Sequence, residues 1–280
     1  MTSSLRGVRD ERGEVVSVER LGGEMFELSV RLPHLARTAR PGQFAQLRCG
    51  ESAVPLLRRP FSVAWTEGDV ASFVLAPVGV GTRLLAALRP GDSLTSLGPL
   101  GNGFTLDCGS TRSLCVSGGL GCAPFPLLVR ELRRRGVDVT VLSGAATATR
   151  LYPPERFARG DAGVRVLETT VDGSRGGAGL VTAAVLAHCD PGTAVHACGP
   201  NPMLAALAST LAAAGAPLRA EVSLEAPMGC GFGTCLGCVL PVNDPGAAGG
   251  WALCCRQGPV MEMNSVDWDL VMALPPAHVA

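Results

Sequence analysis

The sequence carries no excess of either charge: among 280 residues, Lys+Arg and Asp+Glu both number 24. Proteins that bind nucleic acid or a membrane surface usually show a basic surplus, so neither partner is expected. No apolar run reaches the roughly 18 residues that a membrane span needs. The stretch Met1–Arg12 is polar and charged and lacks the apolar core of a secretion signal, which predicts a cytoplasmic protein. Histidine is scarce. His34, His188, His196 and His278 form no constellation, and His196 falls in an apolar run that predicts a satisfied core side chain rather than a general base. No internal repeat and no long polar linker is visible.

Cysteine, by contrast, is abundant, with eleven residues. Cys49, Cys108, Cys115, Cys122, Cys189 and Cys198 are scattered singly and read as small core hydrophobes. The other five crowd between Cys230 and Cys255. A secreted disulfide scaffold would be short and would carry a signal, and this chain fits neither condition. A reducing compartment, with the crowded set binding metal, fits better. Hydrophobic residues make up 47% of the chain, enough to bury two ordinary domains and a small module.

Three segments follow from the local patterning: 1–108, 109–222 and 223–280. The first reads as short strands broken by Gly and Pro: Glu14–Arg20, Met25–Leu32, Phe44–Arg48, Phe61–Trp65, Ala71–Leu75 and Ser93–Leu97. One helix, Thr82–Leu88, interrupts them. Strands at this spacing predict a closed antiparallel β-barrel. In the second segment, strand-like runs at Leu114–Val116, Val137–Leu142, Val164–Leu167, Ala194–Ala197 and Leu218–Val222 alternate with helical stretches. Those stretches are Pro124–Arg135, Leu180–His188 and Pro202–Ala214. Such alternation predicts an α/β domain with a parallel, Rossmann-like sheet. The third segment is too short for a core of its own, and a metal site would hold it together. Within it, Asn243–Gly250 reads as a loop.

Cys230, Cys235 and Cys238 have C-x4-C-x2-C spacing, the plant-type arrangement for a 2Fe–2S cluster. Thiolates converging from one loop need a tightly curled backbone, and Gly229, Gly231, Gly233 and Gly237 supply it. The fourth ligand is Cys254 or Cys255. Two other readings compete. Zinc would more often show two C-x2-C pairs, and only one is present. Thiols without metal would be poor packing material at this density.

Arg59-Pro60-Phe61-Ser62 offers a guanidinium for a pyrophosphate and a hydroxyl for a flavin. Gly79-Val80-Gly81-Thr82 feeds a helix start, an anion site or a plain turn with Thr as N-cap. Gly118, Gly119 and Gly121 follow the first strand of the α/β segment, although not as GxGxxG. Cys198-Gly199-Pro200 follows a later strand and should share the same carboxyl edge of the sheet, where ligands bind. After Val141-Leu142-Ser143-Gly144 only a lone Arg150 appears, which favours NAD over NADP.

Together these motifs, with Pro99-Leu100-Gly101-Asn102-Gly103-Phe104 and Cys255-Arg256-Gln257-Gly258-Pro259-Val260, resemble the ferredoxin-reductase-like flavoproteins. Within them they are most similar to the electron-transfer subunits of two-component, NAD-dependent dihydroorotate dehydrogenases. The resemblance covers nearly the whole chain. It implies FAD in the barrel, along Arg59, Pro60, Phe61, Ser62, Leu75, Ala76, Pro77, Gly81 and Thr82. It implies NAD at Gly118, Gly119, Gly121, Cys198, Gly199 and Pro200. In that family two residues separate the last cluster cysteine from Gly-Pro-Val, which implies Cys255 as the fourth ligand. It further implies an FMN-containing TIM-barrel partner that oxidises dihydroorotate, in a heterotetramer of pyrimidine biosynthesis. Electrons would run from FMN through the cluster and FAD to NAD. The chain departs from the pattern at Ala76-Pro77, where a basic residue is common. A reductase component serving a hydrogenase or oxygenase is the alternative within the same chemistry. A redox sensor or zinc-stabilised adaptor is the alternative outside it.

Overall fold

A computed structural model describes residues 7–50, 55–215, 219–243 and 248–274. Leu218, His278, residues 1–6 of the polar start and residues 244–247 of the expected loop lie outside the described residues.

The first seven strands are β1 (Arg9–Gly22), β2 (Met25–Arg31), β3 (Phe44–Leu47), β4 (Arg59–Ser62), β5 (Trp65–Glu67), β6 (Val70–Leu75) and β7 (Ser93–Leu100). They form one antiparallel sheet in the order β4-β3-β7-β1-β2-β6-β5. The expected single strand Phe61–Trp65 is two strands. Between them the chain crosses from one edge of the sheet to the other. Val63 N bonds Gln43 O at 3.0 Å and Ala64 N bonds Ser72 O at 2.8 Å. Both residues are fully buried, so an unbroken apolar run hid the crossing. Leu28, Leu47, Phe73 and Leu75 fill the interior. Two short helices flank the sheet. Helix α1 (Pro33–Thr38) carries no signal in the sequence pattern, and α2 (Val80–Ala86) starts two residues before the expected position.

A second sheet has the order β11-β10-β9-β8-β12-β13-β16. Its parallel members are β8 (Arg112–Gly118), β9 (Asp138–Ala145), β10 (Arg165–Thr170), β11 (Gly177–Ala178), β12 (Thr193–Cys198) and β13 (Arg219–Ser223). Helices α3 (Phe125–Arg134), α4 (Pro154–Ala158) and α5 (Asn201–Ala214) accompany it. The expected helix Leu180–His188 is instead a 3-10 stretch, Val181–His188. Val181 is pressed so hard on the sheet that a Cβ on Gly144 would stand 2.6 Å from its own Cβ. Two β-branched valines and a threonine in eight residues also disfavour a regular α-helix.

The C-terminal segment adds a small antiparallel pair, β14 (Val239–Pro241) with β15 (Trp251–Leu253). It then gives β16 (Val260–Glu262) to the second sheet, antiparallel to β13, and ends in α6 (Trp268–Ala273). Its buried residues Leu240, Val242, Ala252 and Met263 share one core with Leu204, Leu207 and Leu211 of α5. The segment is thus packed into the α/β layer rather than around a centre of its own.

A stacked joint locks the first sheet to the second layer. Arg130 of α3 and Arg159, just after α4, each place a guanidinium over Trp65, at 4.5 and 4.6 Å from the ring centre. Arg159 Nη2 also donates to buried Glu27 Oε2 at 2.6 Å. A second joint is made by two of the motifs themselves: Asn102 N donates to Gly258 O and Asn102 Nδ2 to Gln257 O, both at 2.7 Å.

Of the six scattered cysteines, five are buried, and Cys108 is only half-buried. Burial pushes the Cys115 thiol up to about 12, which makes it inert as a thiolate. Among the described residues, no helix is long and apolar enough to cross a membrane.

Candidate metal and cofactor sites

Leaving β13, the chain curls through Cys230–Cys238 without regular structure. Gly231 and Gly233 take φ of +81° and +90°, in the left-handed region that glycine enters without strain. A Cβ on Gly233 would fall on the Arg256 side chain. The β14–β15 pairing then brings the distant cysteines back. Cys254 N bonds Cys238 O at 2.8 Å, and Cys255 N points at Cys238 Sγ at 3.4 Å. Cys238 Sγ and Cys255 Sγ lie 3.2 Å apart.

Cys254, its neighbour, faces elsewhere. Its fully buried thiol donates to Leu224 O at 3.4 Å. Burial holds that thiol well above the ordinary range.

Backbone N–H groups are aimed at the remaining sulfurs. Burial pushes the Cys230 thiol up, but N–H groups of Cys235, Phe232 and Thr234 and the Cys235 thiol outweigh it and bring it down to about 7. The thiol contact with Cys255, together with the N–H groups of Cys255, Cys238 and Cys254, outweighs burial and brings Cys238 down to about 6, while Cys255 itself is raised by the same contact. These donors favour thiolates, the form that binds metal.

The four sulfurs stand as two pairs, Cys230 with Cys235 and Cys238 with Cys255. Among the described residues, no three His, Cys, Asp or Glu side chains gather as a single ion requires. The site opens outward at Cys235, which is exposed. Leu236 beside it is 62% exposed and holds a φ of +57°, and Val239 and Trp251 also reach solvent on one face of the β14–β15 pair.

In the barrel, Arg59-Pro60-Phe61-Ser62 is the whole of β4, paired with β3 from Leu47↔Arg59 to Phe44↔Ser62. Arg59 Nη1 donates to the carbonyls of Leu57 and Arg58, at 2.9 and 3.3 Å, and pairs with no carboxylate among the described residues. Its charge is therefore available to an anion. The start of α2 lies alongside: a Cβ on Gly81 would stand 3.6 Å from Arg59 Cγ. Thr82 is not the N-cap. Gly79 holds that place, and the buried Thr82 hydroxyl accepts from Gly79 N at 2.9 Å. Leu75 closes β6, Ala76 is buried behind it, and Pro77 follows in the turn.

At the carboxyl edge of the second sheet, β8 and β12 are neighbours with Ser117 opposite Cys198. This brings Gly118-Gly119-Leu120-Gly121 against Cys198-Gly199-Pro200. The fit is tight: a Cβ on Gly121 would fall on the Cys198 carbonyl, and one on Gly199 would stand 3.1 Å from Gly118 N. Gly119, at φ +55°, has open space beside its Cα. Met203 packs on both Gly118 and Gly199, a neighbour that no sequence signal marked.

A cavity of about 1430 Å³ reaches Cys255 and Gly231 from the side of Arg40, Asn102 and Glu221. None of the motif residues of β4, α2 or the Gly118–Gly121 turn lines it.

Residues 225–267 match the family model for the iron-sulfur cluster binding domain of dihydroorotate dehydrogenase B. The electron transfer subunit of dihydroorotate dehydrogenase B (NAD(+)) from Desulforamulus reducens is 35% identical over 260 residues, covering 91% of this chain and 97% of the relative. Its counterpart from Geobacillus thermodenitrificans is 38% identical over 261 residues, covering 91% and 98%. Among solved structures, a chain of the NADH-dependent reduced ferredoxin-NADP oxidoreductase superposes with a TM-score of 0.79 at 28% identity, covering 93% of this chain and 91% of that one. A ferredoxin NADP+ reductase from Neisseria gonorrhoeae, at 19% identity and a TM-score of 0.62, shares the fold. A paired-thiol loop, two carboxyl-edge glycine turns and similarity to these relatives over 91% of the chain agree: the chain belongs to the family of electron transfer subunits of dihydroorotate dehydrogenase B (NAD(+)).

Proposed function

We propose that this chain carries electrons between a dihydroorotate-oxidising, FMN-containing TIM-barrel subunit and NAD, through a 2Fe–2S cluster and FAD, in a cytoplasmic heterotetramer of pyrimidine biosynthesis. In this reading Cys230, Cys235, Cys238 and Cys255 hold the cluster within 223–280. Residues 1–108 hold FAD along Arg59–Ser62, Leu75–Pro77 and Gly81–Thr82. Residues 109–222 take NAD at Gly118, Gly119, Gly121 and Cys198–Pro200. The observation that carries the reading is the pairing of Cys238 with Cys255 by the β14–β15 pair, in a chain similar to its relatives over 91% of its length.

A flavin exchanges two electrons with a nicotinamide and one at a time with an iron–sulfur centre, so the organic chemistry belongs to the cofactors. The protein's work is placement and electrostatics. Arg59 offers fixed positive charge to a diphosphate, and Gly119 leaves room for one at the sheet edge. The N–H groups at Cys230 and Cys238 hold thiolates ready for iron. No acid–base residue is needed here, because the proton chemistry of dihydroorotate falls to the partner.

Expression with and without an FMN-barrel partner tests the reading. Dihydroorotate-dependent reduction of NAD+ should require both chains. A chain that copurifies with no flavoprotein and never couples dihydroorotate to NAD+ would refute it.

A further inference from the structure

Gln46 is fully buried, and neither Nε2 nor Oε1 of its carboxamide has a hydrogen-bond partner. Buried side-chain amides are nearly always paired, so this orphan calls for a partner outside the polypeptide. Its neighbours show where that partner lies. Gln46 stands on β3, opposite Pro60 of β4 on one side and Leu97 of β7 on the other. Its side chain reaches out of the barrel to the loop that carries Cys230. A Cβ on Gly231 would stand 2.7 Å from Gln46 Cγ and 2.8 Å from Nε2. The missing side chain at Gly231 is therefore what lets the amide approach the loop. The amide thus stands, fully buried, against the backbone of the residue that follows Cys230.

We propose that the Gln46 carboxamide is the barrel's hydrogen-bond donor to the iron–sulfur centre, and that it raises the centre's reduction potential. The inference rests on the reading of Cys230, Cys235, Cys238 and Cys255 as cluster ligands. Each electron added makes the centre more negative. An N–H aimed at one of its sulfurs stabilises the reduced form more than the oxidised one. Gln46 sits directly across from Pro60 of β4, so the strand beside the one that would carry the flavin site also reaches the loop of Cys230.

Gln46→Leu and Gln46→Met remove the amide with little change in volume. EPR-monitored redox titration reads the cluster potential, with iron, sulfide and flavin assayed on the same samples. Both variants should keep iron and flavin. Their reduction equilibrium should shift negative by roughly tenfold, ~59 mV for one electron. In cofactor-stripped protein both should melt no lower than the parent, since an unpaired amide gives nothing to lose. An unchanged potential in iron-loaded variants overturns the proposal. So does a lower melting temperature of the stripped variants, which would mean that the amide is satisfied within the protein. Absence of iron from the parent chain overturns the cluster reading and the proposal together.

Discussion

Cys238 and Cys255 are 17 residues apart in the chain, yet their sulfurs lie 3.2 Å from each other. The β14–β15 ladder, with Val239 opposite Leu253, makes this so. One residue earlier, Cys254 faces the core and bonds Leu224 O. The two cysteines therefore have separable roles. Cys255→Ser should remove the cluster's visible absorbance. Cys254→Ala should keep it, at a stability cost of about 1 kcal/mol. Absorbance and chemical denaturation on the purified variants check both; loss of the cluster in Cys254→Ala and its retention in Cys255→Ser would reverse the assignment.

The turn proposed for NAD, at Gly118, Gly119 and Gly121, depends on a close backbone approach. Gly121→Ala puts a methyl group where the Cys198 carbonyl already sits. The two turns must separate, at a cost of about 1–3 kcal/mol. NADH binding should weaken at least tenfold while iron content stays at the parent level. Calorimetric titration with NADH reads this, and parental affinity would show that the junction does not shape the site.

If the proposed FMN partner docks on the exposed side chains beside Cys235, Leu236 offers the test. Its φ of +57° is one that Asp tolerates, so Leu236→Asp should fold and retain iron. A charge amid Leu236, Val239 and Trp251 should weaken binding of the FMN partner by tenfold or more. Surface-bound partner titrated with each variant gives the affinity, and an unaltered value would move the interface elsewhere.

His196 makes stability depend on pH. It is buried, with Nδ1 3.0 Å from Ser113 Oγ. Glu221 lies 3.8 Å from Nε2, but it also accepts from Thr105 and faces Arg219. Burial prevails and lowers the histidine to about 4 from 6.5. The unfolded chain then takes up the proton first. Stability should be whole above about pH 6.5 and fall by about 3 kcal/mol as pH drops toward 4. Denaturant melts across this range should show the slope, and His196→Asn should flatten it. An equal slope in the variant would place the titration on another group.

Much of this was legible because chemistry leaves spacing behind. C-x4-C-x2-C with interspersed glycines announces converging thiolates, and period-two alternation in Met25–Leu32 announces a strand. What stayed hidden was set by contacts distant in sequence. Cys254 and Cys255 are indistinguishable until β14 and β15 pair. The crossing at Val63–Ala64 lies inside a continuous apolar run. Val260–Glu262 is too short for any period, yet it completes the second sheet. Trp65 meets Arg130 and Arg159 only through the fold, and Gln46 shows its unpaired amide only when burial is known.

The most direct measurement is iron and acid-labile sulfide on anaerobically prepared protein, alongside Cys235→Ser. The parent chain should hold about two of each, as a 2Fe–2S centre demands. Cys235→Ser should lose both while keeping its flavin. A parent chain free of iron and sulfide, or a variant that sheds flavin together with the metal, would contradict the account.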